Sequence, residues 1–267
     1  MSSAFGDYRV VQGQVRLRIA GHTLEIRAAV PDADVYLDEV LPLFRVLTDA
    51  LVSVGISDEE AAGGKLACAK GCGACCRQLV PITVPEGLAL ARMMESWPEA
   101  RRERARARFA AVVSGLLESG WLTRWNDFLD HPTGGPQAFI GLGLDYFHLG
   151  LPCPFLEDEA CSVYEERPLI CRQFLALSDP AHCQNPAPET VRTVTLPARP
   201  NSILGGMALD AGYPAAFLPL TLLLGLAAGT PSRGQKRRGM AWAEALFKTL
   251  SGKDELPPDG PSVLMAG

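Results

Sequence analysis

The sequence lacks most features that mark nucleic-acid-binding and secreted proteins. Its 25 lysines and arginines are outnumbered by 30 aspartates and glutamates, and the net charge of −5 argues against a general nucleic-acid binder. The opening residues, MSSAFGDYRV, contain neither the basic stretch nor the apolar stretch of a secretory signal. From these absences we expect a cytoplasmic protein with no nucleic-acid partner.

Long apolar runs are missing as well. The most apolar stretch, residues 215–228, is shorter than the about 20 residues that cross a bilayer, and it contains Pro219 and Gly225. It predicts a buried helix, and we expect no membrane association. Since 48% of the residues are hydrophobic, the chain can build a core without disulfides. Its cysteines therefore need another explanation.

Alternating apolar residues near the N-terminus predict a β-hairpin over residues 8–29. A two-residue loop at Gly21-His22 would pair Ile19 with Leu24 and place the apolar side chains of both strands on one face. Gly at the first loop position suits a type II′ turn.

Most of the remaining chain has the periodicity of helices. Apolar residues recur at helical spacing over residues 37–54 and 243–250. The sequence Thr83-Val84-Pro85-Glu86 has the pattern of a capping box at a helix start, and Ser96-Trp97-Pro98-Glu99 repeats it.

These patterns predict an α+β fold that is mainly helical, with an N-terminal β-hairpin and an irregular cysteine-rich centre tied by metal. We expect a single domain over residues 1–251, with the cysteine-cluster region at 65–185. Residues 252–267 are rich in Pro, Gly and Asp and predict a flexible tail.

The eight cysteines are confined to two stretches. The first stretch, CAKGCGACC, contains Cys68, Cys72, Cys75 and Cys76. Such short spacings bring several sulfurs within reach of one zinc ion or one iron–sulfur cluster, and Gly71 and Gly73 would let the backbone wrap around it by adopting positive φ. Adjacent side chains point apart, so we expect one of Cys75 and Cys76 to join Cys72. The other would face a second centre or the later cysteines.

The second stretch contains Cys153, Cys161, Cys171 and Cys183. Residues 157–160 predict the turn of a short hairpin between the first two of these cysteines. Pro168 suits the first turn of a short helix, which would place Cys171 near a helix N-terminus, where the helix dipole lowers a thiol pKa.

Neighbouring polar residues allow two interpretations each. Arg167 and Arg172 could offset the charge of several thiolates on one metal centre, or they could be ordinary surface arginines. His182 could replace a cysteine as a ligand, although an exposed neighbour of Cys183 is the simpler interpretation. Clustered thiols in a reducing compartment indicate metal more often than disulfides, so we predict that all eight cysteines are metal ligands.

The stretch CAKGCGACCRQLVPIT, followed by CPFL, CSVYEERPLICR and a last cysteine, resembles the YkgJ-type cysteine-cluster family, also called the CxxCxxCC zinc- or iron-chelating domain. The resemblance covers residues 68–183 and includes all eight cysteines, although the first gap here has three residues where the family name implies two. It implies metal binding, by zinc or iron. Bacterial flagellin lysine methylases look like relatives that carry an iron–sulfur cluster, so the resemblance also implies an enzymatic alternative.

The preferred interpretation is an iron–sulfur cluster, which would allow electron transfer to a protein partner. A zinc centre that stabilises a structural or interaction module is the second interpretation. In both cases the metal would join two distant parts of the chain and would couple metal binding to folding.

Catalytic interpretations have less support in the sequence. The Cys68-x3-Cys72-x2-Cys75 spacing occurs in radical S-adenosylmethionine enzymes, but Ala74 stands where those enzymes usually carry an aromatic residue. An S-adenosylmethionine-dependent lysine methylase stays an alternative, although no Gly-rich strand–turn–helix pattern is present. Asp145, Tyr146 and His148 are interpreted as loop residues beside the metal site. We assign no catalytic residues and no residues for an organic cofactor.

Overall fold

The computed structural model describes residues 8–251 except 70, 132–134, 188–189 and 230–232. The predicted tail, 252–267, lies outside the described residues. The helices are α1 (Leu41–Ala61), α2 (Val84–Glu95), α3 (Glu99–Glu118), α4 (Trp121–Asp130), α5 (Gly135–His148), α6 (Leu169–Gln173), α7 (Pro180–Gln184), α8 (Pro200–Asp210), α9 (Leu223–Ala228) and α10 (Gly239–Ser251).

Strands in the described residues form four small antiparallel pairs. The pairs are β1 (Val10–Ile19) with β2 (His22–Pro31), β3 (Asp34–Val35) with β8 (Arg237–Arg238), β4 (Pro81–Thr83) with β7 (Phe217–Pro219), and β5 (Leu156–Glu157) with β6 (Ala160–Cys161). The predicted mainly helical α+β class with an N-terminal hairpin is therefore confirmed. Parallel strand pairs, which build nucleotide-binding sheets and βα barrels, do not occur in the part of the chain that is described.

The N-terminal hairpin forms, but its loop lies one residue earlier than predicted. Ile19 pairs with His22, so the loop is Ala20-Gly21, and both loop residues have positive φ (47° and 82°), as in a type I′ turn. The pairing shift of two residues keeps the same side chains on each face, and Leu24 remains buried. The apolar face packs against α1 and α10.

The capping box at the start of α2 is confirmed. The Thr83 hydroxyl accepts a hydrogen bond from the Glu86 N–H at 3.4 Å, and the Glu86 carboxylate accepts one from the Thr83 N–H at 2.9 Å. The second predicted box is wrong, since α3 begins at Glu99 without a side-chain cap. There the Ser96 hydroxyl donates back to the Met93 carbonyl at 2.6 Å, so it ends α2 and does not start α3.

The apolar stretch 215–228 is not one helix. It begins as β7, which pairs with β4, turns through a short 3-10 segment at Leu220–Leu222, and ends as α9. Pro219 lies at the last paired position of the strand, and the Leu220 N–H still donates to the Val80 carbonyl at 2.9 Å. None of the helices in the described ranges is both long and apolar enough to cross a membrane.

Candidate metal centre

The first cysteine group lies on an irregular loop that ends in a 3-10 turn, Ala74–Arg77. Gly71 has φ of +87°, as predicted for a backbone that wraps around a site. Gly73 has φ of −96°, so its predicted positive φ is wrong. Gly73 is instead a point of close approach: a Cβ there would lie 2.6 Å from the Glu159 Oε2 and 3.1 Å from the Glu159 carbonyl oxygen.

Backbone hydrogen bonds hold Cys68 against a distant segment of the chain. The Ala67 N–H donates to the Ala176 carbonyl at 2.8 Å, and the Ala176 N–H donates to the Cys68 Sγ at 3.1 Å. Burial raises the pKa of the Cys68 thiol, and the N–H from Ala176 acts in the opposite direction because it stabilises the thiolate. Amide N–H groups that point at sulfur have the same effect on a metal-bound thiolate.

The second group begins with the predicted short hairpin. Asp158 and Glu159 occupy the turn between β5 and β6 with positive φ of 50° and 57°, and Cys161 pairs with Leu156. The N–H of Cys153, just before β5, donates to the carbonyl of Cys76 at 2.6 Å. This bond joins the two cysteine groups directly.

Cys171 lies within α6, whose N-cap is Pro168. The prediction that the helix dipole lowers the pKa of this thiol is wrong, because burial raises that pKa well above its ordinary value. A helix of five residues has a weak dipole, whereas Cys171 packs against a core cluster that includes Phe155 and Ile170.

Cys183 lies on α7, which packs against the 3-10 turn of the first group. The Asp179 carboxylate caps this helix by accepting from the Ala181 N–H at 2.8 Å. Burial, followed by the charge of Cys68, raises the pKa of Cys183 to about 11. The adjacent His182 is exposed, as its simpler interpretation predicts.

Cys75 and Cys76 lie where the two groups meet. The pKa of the Cys75 thiol is raised first by a hydrogen bond to the Cys76 side chain and then by burial. Burial and the charges of Cys161 and Cys75 raise the pKa of Cys153 to about 12. Without a metal, these buried thiols favour the protonated form, and a bound cation is the usual compensation for several buried thiolates.

Three arginines surround the thiols. Arg77 donates to the Gly73 carbonyl at 3.0 Å and pairs with Glu159 at 2.7 Å, which ties the first group to the β5–β6 turn. Arg108, which forms an ion pair with a β5 side chain, offsets a small part of the rise that burial causes in the pKa of Cys153. Arg167 likewise offsets part of the rise that burial causes in the pKa of Cys161.

Sequence reasoning found only one of these three arginines. Arg77 follows the last cysteine of the first group directly, and that adjacency could have identified it. The position of Arg108 depends on how α3 packs, which local sequence does not reveal. The predicted thiolate partner Arg172 is instead buried and pairs with Asp49 at 3.0 Å, so it fastens α6 to α1.

The residues Asp145, Tyr146 and His148 do not lie on a loop, because α5 extends over all three. Asp145 faces outward and pairs with Arg124 at 3.1 Å. Tyr146 is buried against Trp121, with ring centroids 5.2 Å apart in an edge-to-face arrangement. These contacts belong to the packing of α4 and α5.

All eight cysteines lie among the described residues, and none of them forms a disulfide. As the side chains are placed, no three Cys, His, Asp or Glu groups in the described ranges are arranged to hold a metal ion. Rotation about χ1 moves a cysteine sulfur between staggered positions without moving the backbone. The eight ligands named from the sequence therefore stay a prediction.

Comparison with family models matches the cysteine-rich part of the chain. Residues 67–190 match the CxxCxxCC family, described as a putative zinc- or iron-chelating domain. The resemblance recognised from the cysteine motifs is confirmed over this region, and metal binding by zinc or iron is supported. Comparisons with curated proteins and with solved structures give no significant match.

Proposed function

We propose that this protein holds an iron–sulfur cluster through thiolates of both cysteine groups and that it acts in electron transfer. The observation that carries the proposal is the hydrogen bond from the Cys153 N–H to the Cys76 carbonyl, which brings two distant cysteine groups into one region. The donor set fits, because thiolates are the usual ligands of iron–sulfur clusters and here they are clustered and partly buried. When bound, the cluster would supply a site for one electron.

The surrounding groups suit a centre of several thiolates. The Ala176 N–H points at the Cys68 sulfur, and the guanidinium groups of Arg77, Arg108 and Arg167 lie near the thiols. Hydrogen bonds to sulfur and nearby positive charge both stabilise negative charge on the centre, and they are among the factors that set a reduction potential.

Cys72 is exposed, in contrast to the other cysteines of its group. An exposed ligand gives a partner protein a short path to the centre, so we place the surface for electron exchange around Cys72. Since the thiols must stay reduced to bind metal, the proposal also places the protein in a reducing compartment such as the cytoplasm.

A zinc centre is the second candidate, and the burial of the second cysteine group favours it. Cys153 and Cys171 pack against a core cluster that contains Phe155 and Ile170, which leaves little room for an exchangeable ligand, and structural zinc sites are filled by four protein ligands. In that case the metal would fix the β5–β6 hairpin to α6 without electron transfer.

One experiment separates these functions. The full chain is purified without oxygen, and its visible spectrum, iron, acid-labile sulfide and zinc contents are measured. We expect a broad cluster absorption with iron and sulfide in matched amounts. A colourless protein with stoichiometric zinc would replace the cluster with a structural centre, and a protein with no bound metal would overturn both candidates.

A further inference from the structure

The two cysteine groups of the sequence are rearranged in the fold into two different sets. One set contains Cys68 and Cys72 from the first group and Cys183 from the second. The other set contains Cys153, Cys161 and Cys171. We refer to them as the outer set and the inner set, respectively.

Packing brings Cys68 and Cys183 of the outer set together. Cys183 belongs to a small cluster with Phe174 and Ala176, and both Cys68 and Cys75 pack against that cluster. The Ala176 N–H that bonds to the Cys68 sulfur fixes the register of this contact. Cys72 follows Cys68 in the same turn of the loop, where the Cys72 N–H donates to the Ala69 carbonyl at 3.2 Å.

The inner set packs against a separate cluster. Cys153, Cys161 and Cys171 all contact the core that contains Phe155 and Ile170. The β5–β6 hairpin carries one of these cysteines, and α6 carries another. Leu156 links the other two cysteines, because its N–H donates to the Cys153 carbonyl at 2.8 Å and it pairs with Cys161 across the hairpin.

The vicinal pair lies between the two sets. Cys75 packs with the outer set, and the carbonyl of Cys76 accepts the N–H of Cys153 from the inner set. Each set has three thiols, whereas a zinc ion or an iron–sulfur cluster held by thiolates alone takes four. In this structure the Cys75 thiol is hydrogen-bonded to the Cys76 side chain at the junction of the two sets, so rotation of either side chain can supply one thiol to each side.

We propose that the protein has two metal centres, one built on Cys68, Cys72 and Cys183, the other on Cys153, Cys161 and Cys171, with Cys75 and Cys76 supplying the fourth thiolate of each. This inference rests on the proposed function, because it divides the same thiols between two centres. It explains why the sequence contains a vicinal pair.

The test counts centres in single-cysteine variants. Native mass spectrometry of the wild-type chain purified without oxygen should show two centres. Cys183→Ser and Cys171→Ser should each show one centre, and the double variant should show none. Val191→Ala, in the cluster that packs around Cys183, is the control for a packing defect and should keep both centres.

Thiol mapping gives a second measurement that needs no variant. The wild-type protein is treated with a limiting amount of chelator, unprotected thiols are alkylated, and the modified cysteines are identified by mass spectrometry. Species with one centre remaining should carry alkyl groups on one complete set, with the other set protected. This measurement uses only the wild-type chain, so a variant that fails to fold does not affect its result.

The outcomes separate the two proposals. A wild-type chain that binds no metal would overturn the proposed function. A wild-type chain with a single centre, or a Cys183→Ser variant that loses all metal, would leave metal binding intact and would overturn the division into two sets. Alkylation that spreads over both sets at once would overturn the division as well.

Discussion

Gly73 is the position where a single methyl group should test how the two cysteine groups meet. A Cβ at this residue would lie 2.6 Å from the Glu159 Oε2, 3.0 Å from the Leu156 Cδ1 and 3.1 Å from the Glu159 carbonyl oxygen. The carboxylate could swing away, but only by breaking its ion pair with Arg77. The carbonyl belongs to the turn of the hairpin and cannot move alone.

Gly73→Ala should therefore displace the β5–β6 hairpin from the first cysteine group. Overpacking of a tight contact costs about 1–3 kcal/mol. We expect a cost near the middle of that range, because the carboxylate can swing away at the loss of its ion pair whereas the carbonyl oxygen has to shift with the hairpin turn. The displacement moves Cys161, so metal content should fall together with stability.

Two other glycines provide matched controls. At Gly141, in α5, an added Cβ meets nothing within 4 Å, so Gly141→Ala should leave metal content unchanged and should not destabilise the protein. Gly71 is also open around its Cβ, but its φ is +87°. Gly71→Ala should cost about 1–2 kcal/mol from backbone strain, without a steric clash against the hairpin.

The assay combines chemical denaturation with metal analysis of the same samples. A Gly73→Ala protein with wild-type stability and full metal content would refute the close approach of the two groups. A loss of metal in Gly141→Ala as well would show that the assay reports general damage and not this contact.

Three further predictions concern the support of the site. Glu86→Gln should cost about 1–3 kcal/mol, because an amide cannot accept all the hydrogen bonds that reach this carboxylate from Thr83 and Leu169. Burial raises the pKa of Glu86. The contribution of this shift to the free energy of unfolding is therefore complete below the ordinary pKa of glutamate and is lost as the pH rises through the folded-state pKa. In a pH series of denaturation curves, the variant should lack this decrease of stability with pH. Asp38→Ala should cost about 3 kcal/mol in urea denaturation with metal content unchanged, since the buried carboxylate accepts from the Tyr213 hydroxyl at 2.8 Å and pairs with Arg233 far from the thiols. Chelation under reducing conditions should lower the melting temperature and make all eight thiols reactive, whereas unchanged melting would show that metal does not support the fold.

The sequence predicted best where local chemistry decides the structure. The capping box at Thr83 and Glu86 and the hairpin turn at Asp158-Glu159 form as predicted, because each depends on a few adjacent residues. The N-terminal hairpin forms as predicted, but its loop and its turn type differ from the prediction. Ala20 adopts a positive φ, which is rare for alanine, and the turn is type I′ at Ala20-Gly21, where the sequence predicted type II′ at Gly21-His22.

Tertiary contacts decided what the sequence could not. The pattern of Ser96 to Glu99 matched a cap, but Pro98 starts α3 in a geometry in which the Ser96 hydroxyl bonds backwards. Arg172 stood beside a cysteine in sequence, yet its partner is Asp49 on α1. The eight cysteines were recognisable from their spacing, whereas the packing of Cys68 and Cys75 with Cys183, apart from Cys153, Cys161 and Cys171, depends on where α7 docks.

Helices outside the matched region position part of the candidate metal centre. Residues 67–190 contain every cysteine, but α6, which carries Cys171, packs against α1 and α8, and both lie outside that range. The pair between Arg172 and Asp49 reinforces the contact with α1. A centre that includes Cys171 needs this helix at a fixed distance from the hairpin. The packing of α6 against α1 and α8 therefore fixes the position of Cys171.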